Sequence, residues 1–244
     1  MGTEDKVVVV VTGFGPFRQY LFNPSWPAVQ GLKMSGLGED VDIHIKELPV
    51  SYRKAQELVV LLWKTFSPQL AIHVGIAPGS SAIILEQSGK NEGYKSRDVC
   101  GTCPADGRCV VGGPGRIDSV MDMKSLARRL RGRGLDVIYS RDAGRGLITH
   151  LIHKDAELEN TLSYHLIILY LCDFVYYTSL YQGKGRAALV HVPASGRLAS
   201  TQTLVPILRD IAHALLQQLQ GAAGSEERLK TDAVETSGAS VVKL

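Results

Sequence analysis

Apolar runs typical of buried strands alternate with amphipathic segments along most of the chain. Residues 7–11 are an unbroken run of valines, which is typical of a strand covered on both faces. Residues 41–48 alternate apolar and polar positions and predict a second strand. From Ala55 to Phe66 the apolar residues recur at helical spacing, so the pattern predicts a helix with Ser51 as its N-cap.

The same two patterns repeat toward the C-terminus. Further strands are predicted at 70–76, 82–86, 136–140 and 187–192, and further helices at 24–35, 122–131, 172–182 and 204–219. Strands that alternate with helices form crossover units, which build a mainly parallel sheet with helices on both sides. The sequence therefore predicts a single three-layer α/β/α domain with a central mixed, mostly parallel sheet.

The domain is expected to span residues 1–220. Residues 221–244 are small, polar and charged, so we expect them to form a flexible C-terminal tail. Residues 89–115 are rich in glycine, cysteine, proline and aspartate and predict a long loop, a kind of segment that often binds ligands.

Composition limits the classes of molecule that this protein is expected to bind. With 45% hydrophobic and 21% charged residues the chain has an ordinary globular composition. The net charge of +3 arises from mixed signs without a basic stripe, so we expect no nucleic-acid partner. No apolar run approaches the roughly 18 residues that span a bilayer, and none forms a signal-peptide core. We therefore expect no membrane partner and a cytosolic location, where thiols stay reduced.

Candidate catalytic side chains lie at predicted strand ends and before a predicted helix. Ligands of open α/β sheets bind at the carboxyl ends of strands, and these ends supply Phe14, Phe17, Glu86 and His191. Cys172 precedes a predicted helix, whose N-terminus would stabilise a thiolate. An imidazole could take the thiol proton, and a carboxylate could orient that imidazole. The three groups form a possible nucleophilic triad.

Each candidate also has a purely structural interpretation. Cys172 could be a small buried hydrophobe, and His191 could be a hydrogen-bonded core histidine. Glu86 could be an exposed carboxylate at a strand end, and Phe14 and Phe17 could belong to the core. The residues alone leave both interpretations open.

A series of short motifs between residues 7 and 219 resembles the pyroglutamyl-peptidase I family. The motifs are 12–17 with Asn23-Pro24-Ser25, Leu85-Glu86 with Asn91 and Gly93-Tyr94, 140–145, Tyr170-Leu171-Cys172-Asp173, and Val190-His191-Val192-Pro193. Within the family, residues 83–91 are more similar to the "pyroglutamyl-peptidase I-like" branch than to the enzyme itself.

The resemblance implies a cytosolic cysteine peptidase that removes an N-terminal pyroglutamyl residue from peptides without a cofactor. It implies Cys172 as the nucleophile, His191 as the general base and acid, and Glu86 as the group that orients His191. It also implies that Phe14 and Phe17 flank the flat lactam ring of the substrate, because aromatic faces suit a small planar ring.

Residues 146–169 interrupt the cysteine motif, because in the family the arginine that corresponds to Arg145 runs directly into Tyr-Leu-Cys. If the apolar residues 166–171 extend the following helix backwards, Cys172 lies mid-helix, where the terminal dipole has faded. If the insert loops out, the motif closes again behind it at little entropic cost. The alternative to an active peptidase is therefore a catalytically impaired member that serves as a scaffold or binding protein.

Two further groups of residues could bind a metal. One comprises His150, His153 and His165 in the insert, and the other comprises Cys100, Cys103 and Cys109. The cysteine group lacks a second ligand pair at zinc-finger spacing, and we expect no metal site at either group.

Overall fold

The computed structural model describes residues 6–16, 21–143 and 159–238, with side chains described outside 159–168 and 222–238. Its elements in chain order are β1 (Val7–Phe14), α1 (Ser25–Ser35), β2 (Val41–Leu48), α2 (Tyr52–Phe66), β3 (Leu70–Ala77), β4 (Ile83–Glu86), β5 (Ser88–Lys90), β6 (Arg116–Asp118), α3 (Met123–Arg131), β7 (Val137–Ser140), α4 (Glu159–Gln182), β8 (Ala187–Pro193) and α5 (Thr201–Gly238). Two short 3₁₀ helices lie at Ala105–Gly107 and Arg197–Ala199.

The main sheet has the strand order β2-β1-β3-β8-β4-β7. Strands β2, β1, β3 and β8 are parallel, whereas β4 is antiparallel to β8 and parallel to β7. Strands β5 and β6 form a separate antiparallel ribbon at the two ends of the predicted long loop. The predicted mixed, mostly parallel sheet is confirmed.

Helices cover both faces of this sheet. On one face α2 packs beside α4, and the indole Nε1 of Trp63 donates a 2.7 Å hydrogen bond to Ser179 Oγ between them. On the other face α1 packs against β1 and α5, and Gly13 of β1 abuts the backbone of Ser25 at the start of α1. The three-layer α/β/α architecture predicted from the sequence is therefore confirmed.

Helix α4 begins much earlier than the start at Cys172 that the sequence predicted. It starts at Glu159, about three and a half turns ahead of Cys172. The prediction of a helix starting at Cys172 was wrong, because the apolar residues that precede it continue the helical pattern: Leu169 and Leu171 are buried. Of the two arrangements considered for the insert, the structure has the one that extends the helix backwards.

Helix α5 also extends past its predicted end near Leu219 and continues to Gly238. Three alanines and three glutamates between residues 222 and 238 have high helix propensity. None of the helices in the described part of the chain is both long and apolar enough to cross a membrane.

The N-terminus of α2 is capped from a distant loop. Ser51 occupies the N-cap position, as predicted, but its side chain makes no capping hydrogen bond. The buried carboxylate of Asp98 accepts one from the backbone N–H of Tyr52 at 3.0 Å, and others from Cys100 and Thr102. Asp98 thus joins the segment predicted as a long loop to the layer of helices that contains α4.

We expect Asp98→Ala to lower the free energy of unfolding by about 1–2 kcal/mol, because helix α2 loses its cap and the loop loses its shared acceptor. Ser51→Ala is the matched control and should cost less than about 0.5 kcal/mol. Urea unfolding at neutral pH measures both values.

The loss in free energy of unfolding caused by Asp98→Ala should also depend on pH. Burial raises the pKa of Asp98, but hydrogen bonds led by those from Thr102 outweigh burial and hold the pKa below its ordinary value. A carboxyl with a lowered folded-state pKa stabilises the fold above its unfolded pKa of about 4 and loses that contribution as the pH falls through the folded value. Equal costs for the two variants, or a cost independent of pH, would contradict this assignment.

Candidate active site

A histidine–carboxylate pair lies inside the sheet between β8 and β4. His191 Nδ1 is 3.0 Å from Glu86 Oε1, and both side chains are at most 1% exposed. The register explains the contact, since Ile84 lies opposite His191 and Glu86 follows two residues later on the same face. Because β4 runs antiparallel to β8, Glu86 reaches His191 through strand pairing, and not through adjacent carboxyl ends as the sequence suggested.

Cys172 reaches the same place from helix α4. A Cβ atom added at Gly75 of β3 would lie 2.4 Å from Cys172 Sγ and 3.3 Å from His191 Cδ2. Gly75 pairs in register with His191, so the sulfur and the imidazole meet above one glycine. The absence of a side chain at Gly75 is what allows the helix to bring its thiol down to the strand. The structure therefore brings Cys172, His191 and Glu86 together.

The thiol lies in surroundings that favour its neutral form. Burial raises the pKa of Cys172 above its ordinary value, and the carboxylates of Asp173 and Glu86 raise the pKa further. Its mid-helix position removes the dipole stabilisation that the sequence predicted, because the effect is confined to the first turn. A thiolate can form here only together with a cation, and His191 is the adjacent group that can accept the proton.

The second ring nitrogen of His191 is available for this transfer. Nε2 is buried and has no hydrogen-bond partner within the described residues, while Nδ1 contacts Glu86. The contact with the carboxylate favours the tautomer that keeps its proton on Nδ1, which leaves Nε2 as an acceptor. Catalytic hydrogen bonds are often long without substrate and shorten when it binds.

One of the two predicted aromatic residues, Phe14, lies at the end of β1. Phe14 is the last residue of β1 and is only 4% exposed. Its backbone N–H donates to Ser25 Oγ at 3.0 Å, and Ser25 Oγ donates to Asn23 Oδ1 at 2.7 Å. The Asn23-Pro24-Ser25 motif thus fixes the backbone at Phe14. Phe17 lies outside the described residues.

Asp173, the residue after Cys172, was not singled out from the sequence. Its fully buried carboxylate accepts hydrogen bonds from Lys90 N at 3.0 Å and from Tyr94 Oη at 3.1 Å. These contacts tie helix α4 to the strand that follows Glu86, and they give Tyr94 of the glutamate motif a structural role. Adjacency to the predicted nucleophile is the signal that could have identified Asp173.

A second buried histidine lies on the same face of the sheet. His73 of β3 is two residues before Gly75, and its Nδ1 is 2.7 Å from Thr12 Oγ1. Burial lowers the pKa of His73 to about 3, so this imidazole is neutral at physiological pH. Its position inside a continuous apolar strand concealed it from sequence reasoning.

The predicted metal candidates are dispersed in the described part of the chain. Cys100 and Cys103 are exposed, whereas Cys109 is buried with its Sγ 3.0 Å from Thr178 Oγ1. No group of three or more histidine, cysteine or acidic side chains suited to a metal occurs within the described residues. His150, His153 and the side chain of His165 lie outside them.

A three-layer α/β fold that holds a cysteine beside a carboxylate-bound histidine is typical of a cysteine hydrolase. The family model described as "Pyroglutamyl peptidase" matches residues 7–172, which include Glu86 and Cys172. The chain is 43% identical to Pyroglutamyl-peptidase 1 of Mus musculus over 223 residues, 91% of this chain and 95% of that protein. The chain therefore belongs to the pyroglutamyl peptidase family.

Solved structures agree with this assignment. A mutant pyrrolidone carboxyl peptidase from Pyrococcus furiosus superposes with a TM-score of 0.69 at 25% identity, covering 87% of this chain and 100% of that one. The pyrrolidone carboxyl peptidase of Fervidobacterium islandicum gives a TM-score of 0.69 at 26% identity, covering 87% and 99%.

The position within the family differs from the sequence-based expectation. The Pyroglutamyl-peptidase 1-like protein of Homo sapiens is 38% identical over 190 residues, 77% of this chain and 85% of that protein. Identity and coverage are both higher for the mouse Pyroglutamyl-peptidase 1. The expectation that the chain is nearer to the 1-like branch was therefore wrong, since it rested on a single short stretch around Glu86.

Alkylation should separate the cysteines by burial. We expect iodoacetamide at pH 8 to modify the exposed Cys100 and Cys103 first. Cys172 and Cys109 should react at least about tenfold more slowly, because burial raises the pKa of both, that of Cys109 to about 12, and the thiolate is the reactive form.

Peptide mass spectrometry over a time course measures each rate, and the same reaction in denaturant supplies the unprotected rates as a control. A Cys172 that reacts as fast as Cys100 would contradict the buried, neutral thiol.

Proposed function

We propose that this protein removes the pyroglutamyl residue from the N-terminus of peptides, with Cys172, His191 and Glu86 as its catalytic groups. Membership of its family makes it a pyroglutamyl-peptidase I type cysteine peptidase. The observation that carries the assignment of residues is the convergence above Gly75, where Cys172 Sγ meets an imidazole already held by a buried carboxylate.

The reaction follows from the order of these contacts. His191 Nε2 takes the proton of Cys172, and the sulfur attacks the carbonyl carbon of the pyroglutamyl residue. His191 then gives this proton to the departing amine of the peptide. Water, deprotonated by the same imidazole, hydrolyses the thioester that remains. Glu86 holds the ring in place through Nδ1 and stabilises its charged form. This chemistry requires no cofactor.

Recognition of the lactam is assigned to Phe14 and Phe17. A flat, uncharged ring gains from contact with aromatic faces, whereas an ordinary N-terminal amine would lose its hydration without a counter-charge. The fixed backbone at Phe14 supports this role. We also propose a cytosolic location, which is consistent with free thiols at the exposed Cys100 and Cys103.

Hydrolysis of a pyroglutamyl-coumarin amide tests the catalytic assignment. Cys172→Ala should abolish turnover, and Glu86→Gln should lower kcat at least about tenfold, because the imidazole loses its charged partner. Cys100→Ser is the control for cysteine replacement and should keep full activity, since Cys100 is exposed and is not one of the proposed catalytic groups. Turnover that survives in a folded Cys172→Ala protein would exclude the proposed nucleophile.

A second candidate function, a family member with impaired activity, is favoured by the position of Cys172 within α4. Mid-helix, the backbone N–H groups around Cys172 are engaged in the helix and cannot bind an oxyanion. Loss of one such donor costs about 10²–10³ in rate. The catalytic side chains are also at most 1% exposed, so a substrate reaches them only after the covering residues move.

Residues on the two sides of the insert are nevertheless held close together. Lys90 contacts both flanks: its Nζ pairs with Asp142 before the insert, and its backbone N–H donates to Asp173 after it. Removal of residues 146–169 would therefore reconnect two segments that are already held side by side.

We expect deletion of residues 146–169 to raise kcat/KM for the coumarin amide at least about tenfold, because Cys172 would then lie near a helix N-terminus with free backbone donors. Truncation after Gly221 is the control for shortening the chain, and we expect it to leave both activity and melting temperature nearly unchanged. Equal or lower activity in a folded deletion protein would show that the insert does not obstruct the site.

A further inference from the structure

Helix α4 makes a second contact with the candidate site, one turn after Cys172. Tyr176 is fully buried, and its hydroxyl donates a 2.9 Å hydrogen bond to the backbone carbonyl of Glu86. Residues four apart lie on one face of a helix, separated by about 6 Å along its axis. Cys172 and Tyr176 therefore face the sheet together, the first toward His191 and the second toward Glu86.

Glu86 is consequently bound from two directions. Its carboxylate contacts His191 Nδ1, and its backbone carbonyl accepts a hydrogen bond from the Tyr176 hydroxyl. One residue thus connects the strand that holds the imidazole to the helix that holds the thiol. A shift of α4 along the sheet would alter the distance from Cys172 to His191 and stretch the Tyr176 hydrogen bond at the same time.

We propose that Tyr176 is a positioning residue for the peptidase reaction, whose hydrogen bond to Glu86 sets the position of Cys172 relative to His191. This inference rests on the proposed catalytic roles of these residues. In this role Tyr176 acts through Glu86 and through the helix that it shares with Cys172.

The Tyr176 hydroxyl stays protonated and therefore remains a hydrogen-bond donor. Burial and the charge of Glu86 raise its pKa well above the ordinary value, so the hydroxyl keeps its proton at any working pH. Displacements of about 1 Å in a reacting group can cost about 10² in rate. The hydrogen bond can therefore matter far more for turnover than for stability.

Tyr177 provides a matched control in the next position of the chain. It is also fully buried, and its hydroxyl donates at 2.5 Å to a backbone carbonyl, but that carbonyl belongs to Pro114. Removing either hydroxyl deletes one hydrogen bond from α4 to a backbone acceptor. Of these two tyrosines, Tyr176 is the one whose hydroxyl binds a member of the proposed triad, Glu86.

The experiment compares Tyr176→Phe with Tyr177→Phe in the full-length protein. We expect Tyr176→Phe to lower kcat for the pyroglutamyl-coumarin amide at least about tenfold with KM changed less than twofold. Tyr177→Phe should leave both constants within about twofold, while the two variants lose similar amounts of stability in urea unfolding. Equal losses of kcat in the two variants, or no loss in Tyr176→Phe, would overturn the proposal.

A second readout separates this proposal from the proposed function. Iodoacetamide should modify Cys172 at least about threefold faster in Tyr176→Phe than in the wild type, with Cys109 unchanged, because the helix shifts locally. Cys109 also packs against α4, with its Sγ 3.4 Å from the carbonyl of Phe174, so general loosening would expose it too.

If the wild-type protein is active, the kcat values of the two variants decide whether the positioning role holds. If the wild type is inactive, the proposed function fails and the alkylation rates decide: a selective rise at Cys172 supports the positioning contact. Unchanged rates, or equal rises at both cysteines, would overturn it.

Discussion

The closeness of helix α4 to strand β3 is the constraint on which the rest of the candidate site depends. Gly75 has no side chain, and the space that a Cβ would occupy is filled by the sulfur of Cys172. The contact fixes the height of the helix above the sheet. At this height Tyr176 reaches the carbonyl of Glu86, and Asp173 reaches the backbone of Lys90. A bulkier residue at Gly75 would displace the thiol, the phenol and the carboxylate together.

Burial gives this site its electrostatic character. A thiol, an imidazole and a carboxylate share an environment in which an isolated charge is costly. The pKa of Cys172 is raised, so the neutral thiol is the stable form until its proton moves to His191. The resulting ion pair would be compensated by Glu86 on the far side of the ring. Proton transfer within the site therefore replaces the helix-dipole activation that the sequence had suggested.

The insert shows how a local pattern can alter a site without changing the fold. Its apolar end continues the helical pattern into Tyr170-Leu171-Cys172, so α4 extends backwards from the cysteine motif. Two contacts outside the insert hold the residues on either side of it: Asp173 accepts a hydrogen bond from the backbone of Lys90, and Asp142 pairs with the side chain of the same lysine. The family architecture persists, while the surroundings of Cys172, the proposed nucleophile, differ from those of a helix N-terminus.

The sequence by itself determined the elements of the sheet, the layered architecture and the family, because apolar periodicity and short motifs are local properties of the chain. It also supplied Glu86, Cys172 and His191 as candidates. Tertiary structure alone decided that β4 runs antiparallel to β8, that Asp98 and not the Ser51 side chain caps α2, and that Gly75, Asp173 and Tyr176 support the site. These features are contacts between residues far apart in the chain. Their energies depend on burial and distance, which no local pattern encodes.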